Sequence, residues 1–125
     1  MIDAPVSKGA YILIIDLASP LVIARPVKAT LPPGRYLYAG SANGPGGIAA
    51  RLRRHLRKDK KPHWHVDALT LAASSIEVLA FPGGNECDLT ARLAALPGSH
   101  YPLPGFGSSD CRACTSHLLA IEAGS

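Results

Sequence analysis

Short apolar runs separated by turn-forming residues recur along this chain, and their lengths predict a set of β-strands. The first run, GAYILIIDL at positions 9–17, is continuously apolar up to Asp16 and rich in Ile and Leu, which is typical of a strand buried on both faces. The run LVIAR at 21–25 predicts a strand that pairs with it after a turn at 18–20. Further strands are expected at 35–40, 75–81 and 117–121.

Apolar positions recur at helical spacing between about Gly46 and Lys58. One stripe of this helix faces the predicted sheet. Arg51 and His55 lie four residues apart on the border of the stripe, so we expect them where the helix meets the sheet. The stripe consists of Ile48, Ala49, Leu52 and Leu56, and the arginines that point away from it are Arg53, Arg54 and Arg57.

Two more helices are predicted, at 63–73 (HWHVDALTLAA) and 86–96 (ECDLTARLAAL). Asn85 precedes the second of them and is suited to cap it, and acids follow in the first turn. We therefore predict an α/β fold of the α+β type, with a small central, mainly antiparallel sheet flanked by about three helices. No linker divides the chain, so residues 1–125 are expected to form one domain. The core positions of the last helix are Leu89, Leu93 and Leu96.

Two segments rich in glycine, proline and serine interrupt this pattern. SANGPGG at 41–47 is expected to be irregular, and it leads directly into the first helix. Gly46 and Gly47 at this helix start either offer backbone N–H groups to a phosphate or only form a turn. PGSHYPLPGFGSSD at 97–110 is too long for an idle turn, so it is a candidate functional loop, in which Asp110 either caps a turn or takes part in catalysis.

Positive charge is concentrated in one stretch of the chain. The formal net charge is +4, and seven of the thirteen Lys and Arg residues fall between positions 51 and 61, where Asp59 is the only acid. Such a patch indicates a polyanionic partner, and the alternative is a solvated helix face. The seven residues are Arg51, Arg53, Arg54, Arg57, Lys58, Lys60 and Lys61.

The remaining composition restricts where the protein acts. No apolar run approaches the 18 residues that a membrane-spanning helix needs, and the N-terminus MIDAPVSKG lacks the pattern of a signal peptide. Three cysteines are an odd number, which argues against a secreted disulfide framework. We therefore expect a cytoplasmic protein without a membrane partner.

Two tripeptides on predicted strands carry a resemblance to a known family. Gly9-Ala10-Tyr11, followed by Tyr38-Ala39-Gly40 on a later strand, resembles the paired signature of the GIY-YIG nucleases. The segment IAAR at 48–51 is similar to the start of the helix that carries the arginine of that family. With HWHVDAL, NEC and GFGSSDC followed by SHL, the chain resembles an uncharacterised branch sometimes fused to endonuclease III-type DNA glycosylases.

The resemblance implies metal-assisted hydrolysis of phosphodiester bonds in DNA, with Mg²⁺ or Mn²⁺ as the cofactor. Tyr11 and Tyr38 match the two signature tyrosines, and Arg51 would bind the scissile phosphate through its guanidinium fork. His55 could assist a proton transfer or orient the attacking water. Glu86 is the expected metal carboxylate, and Asp88 is the alternative to it.

The DNA, in a branched, damaged or single-stranded form, is expected to lie along the basic helix and the loop before it. The alternative function is a non-catalytic nucleic-acid-binding module that keeps the fold. It is motivated by Ser41, where several relatives have a basic residue, and by GFGSSDC in place of an asparagine that closes the site in better-known members. The residues assigned to nucleic-acid binding are Ser41, Gly46, Gly47, Arg53, Arg54, Arg57, Lys58, Lys60, Lys61 and His65.

Two other groups have compositions suited to metal binding. His63 and His65 with Asp67 either form a metal or stacking group or belong to a helix start in which Trp64 packs into the core. A structural Zn²⁺ ion at Cys111, Cys114 and His117, with or without Cys87, is not expected, because no second CxxC pair exists. Buried thiols near a loop are expected instead. A zinc-stabilised interaction domain is the third functional class to test.

Overall fold

The computed structural model describes residues 7–24, 28–42, 44–59, 65–102 and 116–121. Within these residues, seven strands and three helices form a mixed α+β fold, as the hydrophobic pattern predicts. The strands are β1 (Gly9–Leu17), β2 (Leu21–Ile23), β3 (Ala29–Leu31), β4 (Gly34–Ala42), β5 (Ser75–Pro82), β6 (Ser99–His100) and β7 (Leu118–Ile121). The helices are α1 (Gly47–Leu56), α2 (His65–Ala72) and α3 (Glu86–Ala94).

The central sheet has the strand order β5-β1-β4-β7-β6, and every neighbouring pair is antiparallel. The strand β1 lies between β4 and β5, which explains its continuously apolar sequence. The alternation predicted for 35–40 is confirmed, because Tyr36 and Tyr38 lie in one core cluster and Leu37 and Ala39 in the other.

Each face of the sheet has its own core. On one face, α1, α2 and the small β2–β3 sheet cover a cluster that includes three tyrosines. On the other face, α3 packs through Leu89 and Leu93 on a purely aliphatic set of buried residues. That set consists of Ala10, Ile12, Leu37, Ala39, Leu89, Leu93 and Leu119.

Several predicted boundaries and one predicted pairing are wrong. The segment at 21–25 does not pair with β1, because both edges of β1 are already hydrogen-bonded. It contributes β2, which pairs with β3, an unpredicted strand. The short β6 lies inside the predicted loop 97–110, most of which falls outside the described residues. Because α3 already ends at Ala94, Leu96 lies beyond it and remains 43% exposed.

The antiparallel order brings four strand ends to one end of the sheet. There β1 begins, β4 and β5 end, and β7 begins, as the pairs Gly9↔Ala42, Gly9↔Pro82 and Tyr38↔Leu118 show. The helices α1 and α3 follow β4 and β5, so they both begin near this end. The described helices include none long and apolar enough to cross a membrane.

Candidate active site

Tyr11 and Tyr38 lie on neighbouring strands and on the same face of the sheet. Tyr11 pairs with Gly40 and Leu13 pairs with Tyr38, so the tyrosines form a diagonal cross-strand pair. The phenol of Tyr11 lies over Gly40, where an added Cβ would come within 2.4 Å of both its Cζ and its hydroxyl oxygen. The glycine of the second tripeptide therefore provides the space that the first tyrosine occupies.

His55 joins this pair from α1. The Tyr11 hydroxyl is 2.6 Å from His55 Nε2, and the Tyr38 and His55 rings meet edge to face with centroids 6.3 Å apart. His55 therefore lies where the helix meets the sheet, as its spacing predicts, but it is fully buried and not at the edge of that contact. The ring sits in the core because the Tyr11 hydroxyl satisfies one of its nitrogens.

Burial controls the protonation of both tyrosines. Desolvation raises the pKa of Tyr11 well above the ordinary value of 10.0, and the neighbouring Tyr38 raises it further. Desolvation also raises the pKa of Tyr38, followed by the charge of Glu86. The positive charge of Arg51 acts in the opposite direction on both phenols. Arg51 and Glu86 therefore both lie within electrostatic reach of the tyrosines.

Arg51 lies on α1 at the mouth of a small pocket. The helix begins after Gly46, whose φ of 81° is in the left-handed region that favours glycine, so the chain turns sharply out of β4. The pocket has a volume of about 180 Å³ and is lined by Gly44, Pro45, Gly47, Ala50, Arg51 and Arg54. Arg51 and the start of the helix are the groups in this lining that suit an anion, because the guanidinium of Arg54 is bound to Asp67.

Arg54 does not point freely into solvent as the helical pattern predicts. Its two terminal nitrogens donate to the two carboxylate oxygens of Asp67 at 2.7 and 2.9 Å, which joins α1 to α2. Asp67 is fully buried, whereas 27% of the Arg54 side chain is exposed. A single acid inside the apolar segment HVDALTLA, after a basic helix, is the sequence signal that could have revealed this pair.

The other residues assigned to nucleic-acid binding differ in their surroundings. Arg53 is exposed, and Arg57 is exposed but forms an ion pair with Asp59. The ammonium of Lys58 donates to the backbone carbonyls of Thr70 and Leu71 at the end of α2. Ser41 is half-buried near the end of β4, Gly46 is exposed, Gly47 is buried, and His65 begins α2. Lys60, Lys61, His63 and Trp64 lie outside the described residues.

Glu86 opens α3 at the same end of the sheet as the tyrosines. The predicted cap is confirmed, because the Asn85 side chain accepts hydrogen bonds from the backbone N–H groups of Cys87 and Asp88 at 2.8 and 3.1 Å. The Glu86 side chain is 27% exposed, and its Oε2 is 3.6 Å from Nδ1 of His117, which precedes β7. Asp88 is exposed on the same turn. From the sequence, His117 was considered only as a zinc ligand together with the cysteines, so its position close to Glu86 was not predicted.

The expectation of buried thiols is wrong for Cys87, which is half-buried and disulfide-bonded. Cys111, Cys114 and Asp110 lie outside the described residues. In the part of the chain that the structure describes, no group of three or more His, Cys, Asp or Glu side chains converges as a metal site. A cation at Glu86 would therefore need water or substrate oxygens among its ligands.

These features define a small α+β protein with a buried Tyr–His–Tyr cluster flanked by an arginine and a carboxylate. A family model described as a domain of unknown function, DUF123, matches residues 10–125, so the chain belongs to the DUF123 family. No curated protein and no solved structure matches the chain significantly.

Proposed function

We propose that this protein is a metal-dependent endonuclease that hydrolyses phosphodiester bonds in DNA, and that the DUF123 chain shares its chemistry with the GIY-YIG nucleases. The observation that carries the proposal is the buried hydrogen bond between Tyr11 and His55, with Tyr38 against the same imidazole. The two tripeptides of the resemblance also lie on directly paired strands, which supports it. Phosphodiester hydrolysis needs a proton acceptor for water, a cation for the phosphate and a stabilised leaving group.

Tyr11 and His55 together can accept the proton of the attacking water. Because burial keeps the phenol protonated, Tyr11 does not act as a free phenolate. With the ring proton of His55 on Nδ1, its Nε2 can accept the hydrogen bond of the Tyr11 hydroxyl and then its proton. As the water oxygen bonds to phosphorus, its proton passes to the Tyr11 oxygen and the original phenolic proton passes to His55 Nε2. The phosphorus–oxygen bond to the leaving sugar then breaks, and that oxygen takes a proton from solvent water. His55 returns its added proton to solvent, which restores the starting state.

Arg51 would bind the reacting phosphate. It lies partly exposed beside the pocket at the start of α1, where two phosphate oxygens could accept hydrogen bonds from its guanidinium fork. The backbone N–H groups of this first turn add a favourable dipole. Arg53 and Arg57 extend the positive surface along the helix, so binding should weaken with salt.

Glu86 is the residue that would hold the divalent metal. A partly exposed carboxylate that acts electrostatically on Tyr38 is a hard oxygen ligand at the edge of the reacting centre, which suits Mg²⁺ or Mn²⁺. A bound ion would stabilise the negative charge on the phosphate. Glu86 is also fixed in place, because the capped first turn of α3 holds its backbone.

The test is cleavage of DNA by purified protein. Supercoiled, single-stranded and branched DNA are incubated with Mg²⁺ or Mn²⁺, and we expect nicking that Arg51→Ala reduces by at least about 100-fold. Arg92→Ala serves as the matched control, because Arg92 is an exposed arginine of α3. Equal cleavage by the wild type and the Arg51→Ala variant would assign the activity to a contaminant or to another site.

The second candidate function is a nucleic-acid-binding module without turnover. It is favoured by the closure of the cluster, because Tyr11 is only 2% exposed and His55 is not exposed at all. This function predicts salt-sensitive DNA binding that Arg53→Ala and Arg57→Ala weaken. It also predicts no cleavage with any divalent metal, so metal-dependent nicking that requires Arg51 would exclude it.

A further inference from the structure

His117 has a buried ring nitrogen, Nδ1, that makes no hydrogen bond to the described residues. The side chain is 2% exposed. Buried polar nitrogens are almost always paired, so this one requires an explanation. The nearest acidic atom is Glu86 Oε2 at 3.6 Å, which is too long for a hydrogen bond.

We propose that His117 is a second metal ligand, which binds a divalent transition-metal ion together with Glu86. This inference rests on the proposed function, because it extends the metal site that phosphodiester hydrolysis needs. It adds the imidazole nitrogen of His117 as a ligand, whereas from the sequence this residue was considered only together with cysteines. It also changes the metal to be expected, from a general divalent cation to one that accepts imidazole.

The distance between the two atoms fits a shared ion. Nitrogen and oxygen ligands lie about 2.0–2.2 Å from a bound transition metal, so two neighbouring ligands are about 3.0 Å apart in octahedral and about 3.4 Å apart in tetrahedral geometry. Small rotations of the two side chains would bring Nδ1 and Oε2 from 3.6 Å to either separation. An ion between them would satisfy the orphaned nitrogen and neutralise the carboxylate in the same place.

Both ligands are held by ordered backbone. The carbonyl of His117 accepts a hydrogen bond from the N–H of Ala39 at 3.0 Å, which extends the β4–β7 ladder. Next to it, the Ser116 hydroxyl accepts from the N–H of Leu118 at 3.1 Å. Glu86 follows the Asn85 cap of α3. Because strand and helix are fixed in this way, the two ligands are brought together before any metal binds.

The pair of ligands favours some metals over others. Imidazole suits Zn²⁺, Ni²⁺ and related ions, whereas Mg²⁺ strongly prefers oxygen, and Mn²⁺ accepts both kinds of ligand. The remaining positions would be filled by water and by phosphate oxygens, for which the exposed part of the Glu86 side chain leaves room. We therefore expect Mn²⁺ to bind more tightly than Mg²⁺, and His117 to be the cause.

The experiment measures Mn²⁺ binding to the full chain without DNA, by electron paramagnetic resonance titration. Reductant is omitted, because Cys87 is disulfide-bonded and a released thiolate would be a competing ligand. We expect His117→Gln and Glu86→Gln each to weaken binding by about 10- to 100-fold. The matched controls His100→Gln and Glu77→Gln change exposed residues of the same types and should bind Mn²⁺ like the wild type.

A spectroscopic signature separates ligation from a structural role of His117. Pulsed resonance should detect a nitrogen nucleus coupled to Mn²⁺ in the wild type, and this coupling should vanish in His117→Gln, with folding checked by circular dichroism. The preference for Mn²⁺ over Mg²⁺ should fall in the same variant. Absence of the coupling in the wild type, or wild-type Mn²⁺ affinity in His117→Gln, would overturn the inference.

The outcome is distinguishable from failure of the proposed function. If DNA cleavage depends on Arg51 and metal but His117→Gln binds Mn²⁺ normally, only the second ligand is wrong. If Mn²⁺ binding requires both His117 and Glu86 but the wild type never cleaves DNA, the metal site stands and the nuclease proposal fails.

Discussion

The two faces of the central sheet are built from different chemistry. The fully buried residues under α3 are all aliphatic, with Phe81 and Tyr101 packed against them, whereas the face under α1 and α2 contains three buried tyrosines in its cluster. Of the buried polar residues, His55, Asp67 and Thr70 lie on α1 and α2, whereas Thr90 lies on α3 and Ser116 and His117 precede β7. Both faces belong to the same five strands, so the difference lies in side chains and not in the backbone.

The comparison indicates which face of the sheet carries buried polar residues that stability alone does not require. Burying a hydroxyl, an imidazole or a carboxylate costs free energy unless each finds a partner, and aliphatic residues would fill the same space without that cost. On the α1 face, Tyr11 is paired with His55 and Asp67 with Arg54. Proteins depart from apolar cores mostly at functional sites, so function is expected on the α1 face and at the end of the sheet where Glu86 and His117 meet.

The largest expected effect comes from breaking the ion pair of the α1 face. Arg54→Met removes the two guanidinium hydrogen bonds that the fully buried carboxylate of Asp67 accepts, so we expect a loss of about 3 kcal/mol in the free energy of unfolding. Asp67→Asn should cost less, because the partly exposed Arg54 side chain can turn to water. Chemical denaturation of the purified variants measures both values.

The aliphatic face provides the reference for this experiment. Leu93→Ala removes a buried side chain from the α3 cluster and should cost about 2–3 kcal/mol through a cavity. The double variant Arg54→Met with Asp67→Leu should recover part of the stability that Arg54→Met loses, since an apolar pair can replace a buried ion pair. Adding Asp67→Leu to Leu93→Ala should not restore stability, because position 67 is not part of the α3 cluster. Equal losses of unfolding free energy in Arg54→Met and Asp67→Asn would contradict the expectation that removing the partner of the buried Asp67 costs more than removing the partner of the partly exposed Arg54.

A smaller effect is expected from filling the space under Tyr11. In Gly40→Ala the new Cβ would lie 2.4 Å from the phenol, so the ring must move and its hydrogen bond to His55 must lengthen or break. We expect a loss of about 2 kcal/mol in the free energy of unfolding. If the nuclease proposal is correct, cleavage should fall as well, because the relay depends on this contact.

Gly44→Ala is the matched control for that change. An added Cβ there meets nothing within 4 Å, so its effect on the free energy of unfolding should be small. If Gly40→Ala were as stable as Gly44→Ala, the Tyr11 ring would have room that the structure does not give it. Nuclear magnetic resonance of the His55 ring would report directly on whether the hydrogen bond persists.

Much of the fold could be predicted from the sequence because its elements are strongly patterned. The apolar run of β1, the alternation along β4 and the Asn85 cap each have a local cause, and the structure confirms them. The pairing of β2 could not be predicted in this way. Strand partners depend on which edges other strands occupy, and β5, which takes the second edge of β1, lies more than fifty residues further along the chain.

The candidate site shows the same limit. Arg51 and His55 were selected by helical spacing, but spacing gives only the direction of a side chain and not what it meets. His55 is buried because Tyr11 from a distant strand supplies a partner, and Arg54 is drawn inward because α2 supplies Asp67. Both facts depend on contacts between elements, which a local pattern does not contain.

The smallest expected effect concerns the alkaline stability of the tyrosine face. The pKa of Tyr11 is raised above 10.0 in the folded protein, so on raising the pH the unfolded chain loses this proton first. Stability is therefore fully present below about pH 10 and falls above it, by up to about 1.4 kcal/mol per pH unit for each such tyrosine.

Tyr11→Phe should make this slope of stability against pH shallower, even though it also weakens the protein at neutral pH by removing the hydrogen bond to His55. Urea denaturation between pH 9 and 11 measures the slope. Identical slopes for the wild type and Tyr11→Phe would mean that the phenol of Tyr11 is solvated. The two faces of the sheet would then differ less than the burial of their side chains indicates.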